Sequence, residues 1–273
     1  MILITGATGT IGSELVRQLV ARGIPVRAMS RNPRPATGID VVQGDFGDAD
    51  SLRRATDGVE AVFLLSPPGS SVPDHDLAML RAMDDVRKVV KLSAIGGGGE
   101  AAEWHRAGEA AIQASGLAWT VLRPAGFASN SLQWLGAIRS GQPIPNLTGS
   151  GQHAVVDPRD VAAVAAESLL GADHDGQVYT LTGPELLTVP DQVAQLSEVL
   201  GRELAVVDVP IEVVAEQLRA AGVDEMIVAA VERGSELIRS GADKTFTTDV
   251  ERVLGRPAGT FRGWLKTHRE LFA

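Results

Sequence analysis

Gly6, Gly9 and Gly12, spaced three apart in Gly6-Ala7-Thr8-Gly9-Thr10-Ile11-Gly12, are the residues of this chain best suited to hold a phosphate. An apolar run at residues 1–5 precedes them and a helix-forming stretch follows. Only in that order does a glycine turn imply a dinucleotide. One glycine permits the tight turn, one admits a pyrophosphate to the backbone, and the third lets the helix sit close to the strand. The helix start offers free N–H groups and the positive end of its dipole to the phosphates. Thr8, Thr10 and Ile11 are therefore expected to contact the ligand together with the three glycines. Arg31 stands 19 residues after Gly12, where a dinucleotide fold that prefers NAD carries an acid for the ribose hydroxyls. No acid lies between residues 25 and 39. A guanidinium at this point can grip a 2′-phosphate through two charge-assisted hydrogen bonds, so the expected cofactor is NADP(H). For Arg27, on the second strand, a contribution to the positive field and a solvent-facing position both stay open.

These residues need a frame of alternating strands and helices. The first helix carries Ile11, Leu15 and Leu19 on one face, and Gly23 and Pro25 end it. Strands are expected at residues 25–29, 39–43, 61–65, 86–93, 117–122 and 177–182, with helices at 48–56, 73–83, 100–114 and 157–170. Asp48 is the expected cap of the second helix. The run at 61–65 is apolar throughout, as a parallel strand buried on both faces must be. Such alternation implies right-handed crossovers and an α/β fold, a Rossmann doubly wound parallel sheet. From Gly183 onward the pattern becomes helical, with Val189, Val193, Leu196 and Leu200 on one face and a strand only at 204–209. We expect a dinucleotide-binding domain over 1–182 and a smaller, mostly helical substrate domain over 183–273. The loop at 124–153 is expected to contribute to the substrate cleft, and the glycine- and proline-rich stretch 141–151 is read as exposed.

Ligands of open α/β sheets lie outside the carboxyl ends of the strands. The loops so selected are Gly6–Gly12, Asp45-Phe46, Ser66-Pro67-Pro68, Ser93-Ala94-Ile95 and Pro124 to Asn130. Asp45 is either a ligand contact or a turn-forming acid, and Ser66 carries the same two readings. Ser93 either touches the ligands or closes the strand-end turn. His105, on the following helix, is either a proton donor near neutral pH or a structural hydrogen-bonding residue. Glu109 is read as a surface or pairing residue. Lys91 could face the cofactor or an edge, and the sequence leaves it undecided. Gly96 to Gly99 is read as a flexible loop that could move on substrate binding.

The Gly-Ala-Thr-Gly-Thr-Ile-Gly turn, Ser30-Arg31-Asn32 and Gly44-Asp45-Phe46 resemble the atypical short-chain dehydrogenases of the NmrA-like group. His105-x-x-x-Glu109, the stretch from Ser115-Gly116-Leu117 to Arg123-Pro124, and Asp157-Pro158-Arg159-Asp160-Val161-Ala162 resemble its NADPH-dependent quinone oxidoreductase branch. The resemblance spans nearly the whole chain. It implies that Asp45 and Phe46 flank the adenine, that Ser66 and Pro67 lie near its ribose, and that Ser93, Pro124, Gly126 and Phe127 surround the nicotinamide. It also makes Asn130 a candidate donor to the substrate oxygen. Phe127 and Trp134 could form a stacking wall or simply pack in the core. A typical short-chain dehydrogenase carries a Tyr and a Lys four apart on the helix that here holds His105 and Glu109. The only tyrosine of this chain is Tyr179, far along in a strand. Two functions follow from the resemblance. One is an NADPH-dependent oxidoreductase that transfers a hydride to a quinone or similar conjugated small molecule without the Tyr–Lys pair. The alternative is a non-catalytic, NADP(H)-binding redox sensor of the NmrA type. A sugar epimerase is disfavoured by the missing Tyr.

Composition narrows the partners. Of 273 residues, 44% are hydrophobic and 22% charged, the proportions of a globular protein. The net charge of −9, without a basic patch, disfavours nucleic acid and anionic membranes. Without cysteine there is no disulfide, thiolate metal site or thiol nucleophile. His75, His153, His174 and His268 have no metal-like spacing, and Asp173-His174-Asp175 is read as a solvated turn, so no metal is expected. No apolar run approaches the ~18 residues that a membrane helix needs. With no signal-peptide pattern at the first residues, a cytoplasmic location is the expectation. A homodimer would be unsurprising, although the sequence offers no interface evidence.

Overall fold

The computed structural model describes residues 1–69, 71–95, 100–242 and 244–272, the side chains of 100–103 excepted. The expectation for Gly96 to Gly99 lies outside the described residues. The chain forms two compact units: Met1–Ile95 with Ala101–Pro124 and Pro158–Thr180, and Gly96–Glu100 with Ala125–Asp157 and Leu181–Ala273.

The first unit holds β1 (Ile2–Ile4), α1 (Thr10–Ala21), β2 (Val26–Ser30), β3 (Asp40–Gln43), α2 (Ala49–Thr56), β4 (Ala61–Leu64), α3 (Val72–Arg81), β5 (Lys88–Leu92), α4 (Glu100–Gln113) and β6 (Ala118–Pro124). With a later strand, β10 (Gln177–Leu181), strand order in the sheet is β10-β6-β5-β4-β1-β2-β3, and the pairs among β1 to β6 are parallel. The chain winds outward from β1 to β3, then crosses back to β4 on the other side of β1. That reversal opens a crevice at the β1 and β4 carboxyl ends. Val62, Leu64 and Val89 bury one face of the sheet against Leu52 of α2, Met79 of α3 and Ile112 of α4. Asp48 caps α2 as expected, its side chain accepting from Asp50 N (3.0 Å) and Ser51 N (3.1 Å).

The second unit contains β7 (Gly126–Phe127), a 3₁₀ segment (Ala128–Trp134), α5 (Leu135–Ser140), β8 (Ile144–Asn146) and β9 (His153–Val156). α6 (Pro158–Leu170) returns to the first unit, and β10 (Gln177–Leu181) completes the sheet. Then come β11 (Leu186–Leu187), α7 (Val189–Leu200), β12 (Val206–Asp208), α8 (Ile211–Ala220), α9 (Glu225–Arg239), α10 (Asp249–Leu254), α11 (Phe261–Thr267) and a last 3₁₀ turn at Arg269–Phe272. The expected division at 182/183 differs from this one: residues 125–157 pack in the second unit, because β7 and β9 pair with each other and β9 pairs with β11. The exposed loop expected at 141–151 is corrected too. β8 lies inside it, paired in parallel with β12, and Ile144, Asn146, Thr148 and Gly151 are buried. Asn146 explains why a polar, glycine-rich stretch can go inside. Its Nδ2 donates to Gly149 O (2.9 Å) and Asp208 Oδ1 (2.6 Å), and its Oδ1 accepts from Thr148 N (3.1 Å).

Candidate functional site

The glycine turn adopts the geometry that a pyrophosphate loop requires. Gly6 has φ +62°, in the left-handed region, and Gly9 N donates to Gly6 O (3.0 Å). A Cβ on Gly12 would stand 2.1 Å from Gly6 O, so α1 can sit on the turn only with glycine there. Thr5 ties the turn to β4: its Oγ1 accepts from Leu65 N (2.7 Å) and donates toward Leu65 O (2.9 Å). No side chain caps α1, so its first-turn N–H groups stay available to an anion.

The turn opens into a pocket of about 730 Å³. Gly6, Thr8 and Gly9 line it from the first loop, Arg31, Asn32 and Arg34 from the loop after β2, and Phe46, Ser66 and Pro67 from those after β3 and β4. No acid is among the described lining residues, and two arginines are. An adenosine with a 2′-phosphate fits that chemistry, while the bare ribose diol of NAD would find no carboxylate. Arg34 was not singled out by spacing. It follows Pro33 in a segment without periodicity, and only its presence in the pocket marks it.

Thr10, Ile11 and Gly12 belong to α1 and are not among the lining residues. Asp45 takes the turn-forming alternative. Its Oδ1 accepts from Gly47 N (2.8 Å), and it does not line the pocket, whereas its neighbour Phe46 does. Phe46 stacks on His75 with ring centroids 4.9 Å apart. Ser66 lines the pocket while its hydroxyl donates to Asp76 Oδ1 (2.7 Å). Arg27 faces neither cofactor nor open solvent: Nε is 2.6 Å from Asp40 Oδ2, and Nη1 donates to Ala55 O and Asp57 O.

A second cluster sits at the carboxyl ends of β5 and β6. Ser93 is buried just after β5, and its hydroxyl donates to Glu109 Oε1. Arg123, near the end of β6, holds the same carboxylate through Nε (3.2 Å to Oε1) and Nη2 (to Oε2). Burial by itself would raise the Glu109 carboxyl. Hydrogen bonds from Arg123 and Ser93, with the Arg123 and Lys91 charges, hold it below the usual carboxylate range. Glu109 is thus a pairing residue, and not a surface one. Ser93 is committed as a donor to Glu109 and has only lone pairs left for a ligand.

Lys91 is neither an edge nor a cofactor-facing residue. It is fully buried, with Nζ 2.6 Å from Asp76 Oδ2, and Asp76 is fully buried as well. Burial pulls the ammonium below its ordinary value, against the Asp76 and Glu109 charges that raise it. His105 lies one helical turn before Glu109 on α4. Burial, then the Lys91 charge, pull it down to about 4, with Glu109 acting in the other direction. Of the two expectations for His105, proton donor or structural residue, this setting weighs against the protonated ring and leaves a substrate contact open.

Pro124 is buried at the end of β6, and its carbonyl accepts from Ile95 N (3.3 Å). Gly126, Phe127 and Asn130 belong to the second unit. Gly126 and Asn130 are exposed there and Phe127 is half-buried. Trp134 is a core residue, packed in one apolar cluster with Phe261 and Trp264. Tyr179 is buried with its hydroxyl 2.8 Å from His174 Nδ1, and Lys88 pairs with Asp175 (2.6 Å). The Asp173-His174-Asp175 turn is therefore tied to the sheet, and not merely solvated. Among the described residues no group of three or more His, Asp or Glu could hold a metal ion, and no helix is long and apolar enough to cross a membrane.

Glycine turn, strand order and acid-free pocket together define a dinucleotide-binding α/β protein. The chain belongs to the NAD(P)H-binding family, whose pattern matches residues 6–171. It is 40% identical over 282 residues to a (4-alkanoyl-5-oxo-2,5-dihydrofuran-3-yl)methyl phosphate reductase of Streptomyces griseus subsp. griseus, covering 100% of this chain and 99% of that one. It is 32% identical over 286 residues to an NAD(P)H azoreductase of Xenophilus azovorans, covering 100% and 99%. Its fold matches an NADPH-dependent quinone oxidoreductase of Escherichia coli, solved with NADPH, at a TM-score of 0.86 and 25% identity over 99% and 100% of the two chains. The protein is an NAD(P)H-dependent reductase.

Proposed function

We propose that this reductase uses NADPH to reduce an electron-poor, conjugated double bond of a small molecule, of the quinone type or a close electronic relative. The carrying observation is the Ser93–Glu109–Arg123 cluster. The helix position where a lysine would tune a catalytic tyrosine holds a carboxylate, which stays ionised and takes the serine's hydrogen. An isolated ketone needs a strong proton donor as its alkoxide forms. A conjugated acceptor does not, because the electron pair displaced by the hydride spreads over the π system and water can complete the protonation.

NADPH supplies the hydride when bound. The chain's part is to hold it. Gly6 and Gly9 bring the backbone to the pyrophosphate, α1 presents its N–H groups, and Arg31 with Arg34 takes the 2′-phosphate. The three relatives support the acceptor class: a 4-alkanoyl-5-oxo-dihydrofuran, an azo compound and a quinone, on which they act, are all conjugated, electron-poor π systems.

The test is NADPH consumption with a panel of quinones, azo dyes and α,β-unsaturated lactones, with NADH and the Arg31→Ala variant beside it. Turnover on the panel, weakened in Arg31→Ala for NADPH alone, is the expected result. Tight NADPH binding with no oxidation by any acceptor sinks the reading and favours the redox sensor.

A further inference from the structure

His105 Nδ1 is sealed from solvent and has no hydrogen-bond partner among the described residues. Native proteins rarely leave such atoms unmatched. The Lys91 ammonium is ion-paired with Asp76 Oδ2 at 2.6 Å, both groups fully buried. His105 and that ion pair share one cluster. Gly108 brings Asp76 against α4, since a Cβ there would stand 2.0 Å from Asp76 Oδ2. Lys91, paired with that Asp76, therefore lies beneath the helix that carries His105. Glu109, one turn further on, is occupied by Ser93 and Arg123. The charged groups packed against this side of α4 are thus Lys91 of β5, Asp76 of α3, Glu109 of α4 itself and Arg123 of β6. Nδ1 is sealed, while His105 as a whole is only partly buried.

We propose that His105 acts as a neutral imidazole in the Nε2–H tautomer, with its Nδ1 lone pair turned toward the buried Lys91 ammonium and its Nε2–H offered to the acceptor. This rests on the reductase reading. When a hydride adds to the electrophilic carbon, the π electron pair moves to the conjugated oxygen or nitrogen. The Nε2–H bond holds that atom as its negative charge grows, and the proton that completes the product comes from water. The imidazole neither loses nor gains a proton. A neutral ring suits this task because it stabilises developing charge without having to be protonated first. His105 is the catalytic residue, and Lys91 is a positioning residue that fixes its tautomer and keeps it uncharged.

The tautomer is readable without cofactor or substrate. Long-range ¹⁵N–¹H spectra of the histidine side chains in the wild-type protein, with His105 assigned by its loss in His105→Gln, should show Nε2–H and no titration between about pH 5.5 and 8. An Nδ1–H tautomer, or a midpoint near the ordinary 6.5, overturns the proposal. In Lys91→Met/Asp76→Asn, which removes both buried charges together, the midpoint should rise and the tautomers should mix. An unchanged spectrum overturns the role of Lys91. With an acceptor that the wild type reduces, His105→Ala should lose about 100-fold in kcat at unchanged KM for NADPH, and His105→Gln, which keeps a neutral donor, should recover part of it. Full turnover in His105→Ala overturns the catalytic role and leaves the reductase reading standing. A wild type inert on every acceptor defeats that reading instead, while the spectra still decide the tautomer.

Discussion

The cofactor pocket and the β5–β6 cluster lie in one compact unit and are built on opposite plans. The pocket is backbone and exposed guanidinium: Gly6 and Gly9 form its floor, and the loop after β2, all exposed from Arg31 to Gly38, brings Arg31 and Arg34. The cluster is side chain against side chain, with Lys91, Asp76, Ser93 and Glu109 all buried. An open anion site can leave its cations solvated until the ligand arrives. A buried cluster must satisfy every charge in advance, since an unpaired ion in the interior costs several kcal/mol. The pocket is therefore a site completed by its ligand. The cluster is a pre-balanced charge set: two acids, two bases, and a histidine beside them.

The contrast can be broken most sharply at Lys91. Lys91→Met strands Asp76 without a counter-charge, and urea or thermal unfolding should show a loss of about 3–5 kcal/mol, much of it recovered in Lys91→Met/Asp76→Asn. A single variant as stable as the wild type would mean that the cluster is not charge-balanced. Gly12→Ala tests whether the packing of α1 on the glycine turn is as unforgiving. Its Cβ would meet Gly6 O at 2.1 Å, so a destabilisation of about 1–3 kcal/mol and a sharp loss of NADPH affinity by calorimetry are expected. Arg31→Ala touches only the solvated rim. It should leave the melting curve in place and raise KM for NADPH by about 10- to 100-fold, the worth of a charge-assisted contact, with NADH unaffected.

The smallest effect is a pH dependence that only the cluster should carry. His105 has its folded value depressed, so between about 6.5 and about 4 the unfolded chain binds more protons than the native one. Stability should rise with pH across that window and be lost as pH falls through it, by about 1–2 kcal/mol once screening of the partly buried ring is allowed for. Denaturant midpoints of wild type and His105→Gln should diverge between pH 7 and 4. Parallel curves would place the ring in an ordinary, solvated setting.

Much of the pocket was legible because its parts are local. Strand, glycine turn and helix follow one another within twenty residues, and Asp48 announces α2 from the position just before it. Arg31 could be found by counting, since β2 ends at a fixed distance from the turn. The cluster could not be read in this way. Lys91 looked undecided, since nothing next to it in sequence accounts for a charge inside a parallel strand. Its partner stands fifteen residues earlier on α3, admitted by a glycine on α4. The stretch 141–151 misled for a similar reason. Its glycines and prolines read as a solvated loop, and only Asp208, which bonds Asn146 across 62 residues, shows why Asn146 within it is buried.

The sequence by itself determined the doubly wound sheet, the dinucleotide turn and the place of Arg31 just after β2, because periodicity, glycine conformation and strand-to-loop spacing are short-range properties that any fold of this chain must respect. The tertiary structure alone decided the burial of His105 Nδ1, the commitment of Ser93 to Glu109 and the burial of Lys91. Each depends on how far a charge stands from water and from its counter-charge, and that distance exists only once α3, α4, β5 and β6 have packed together.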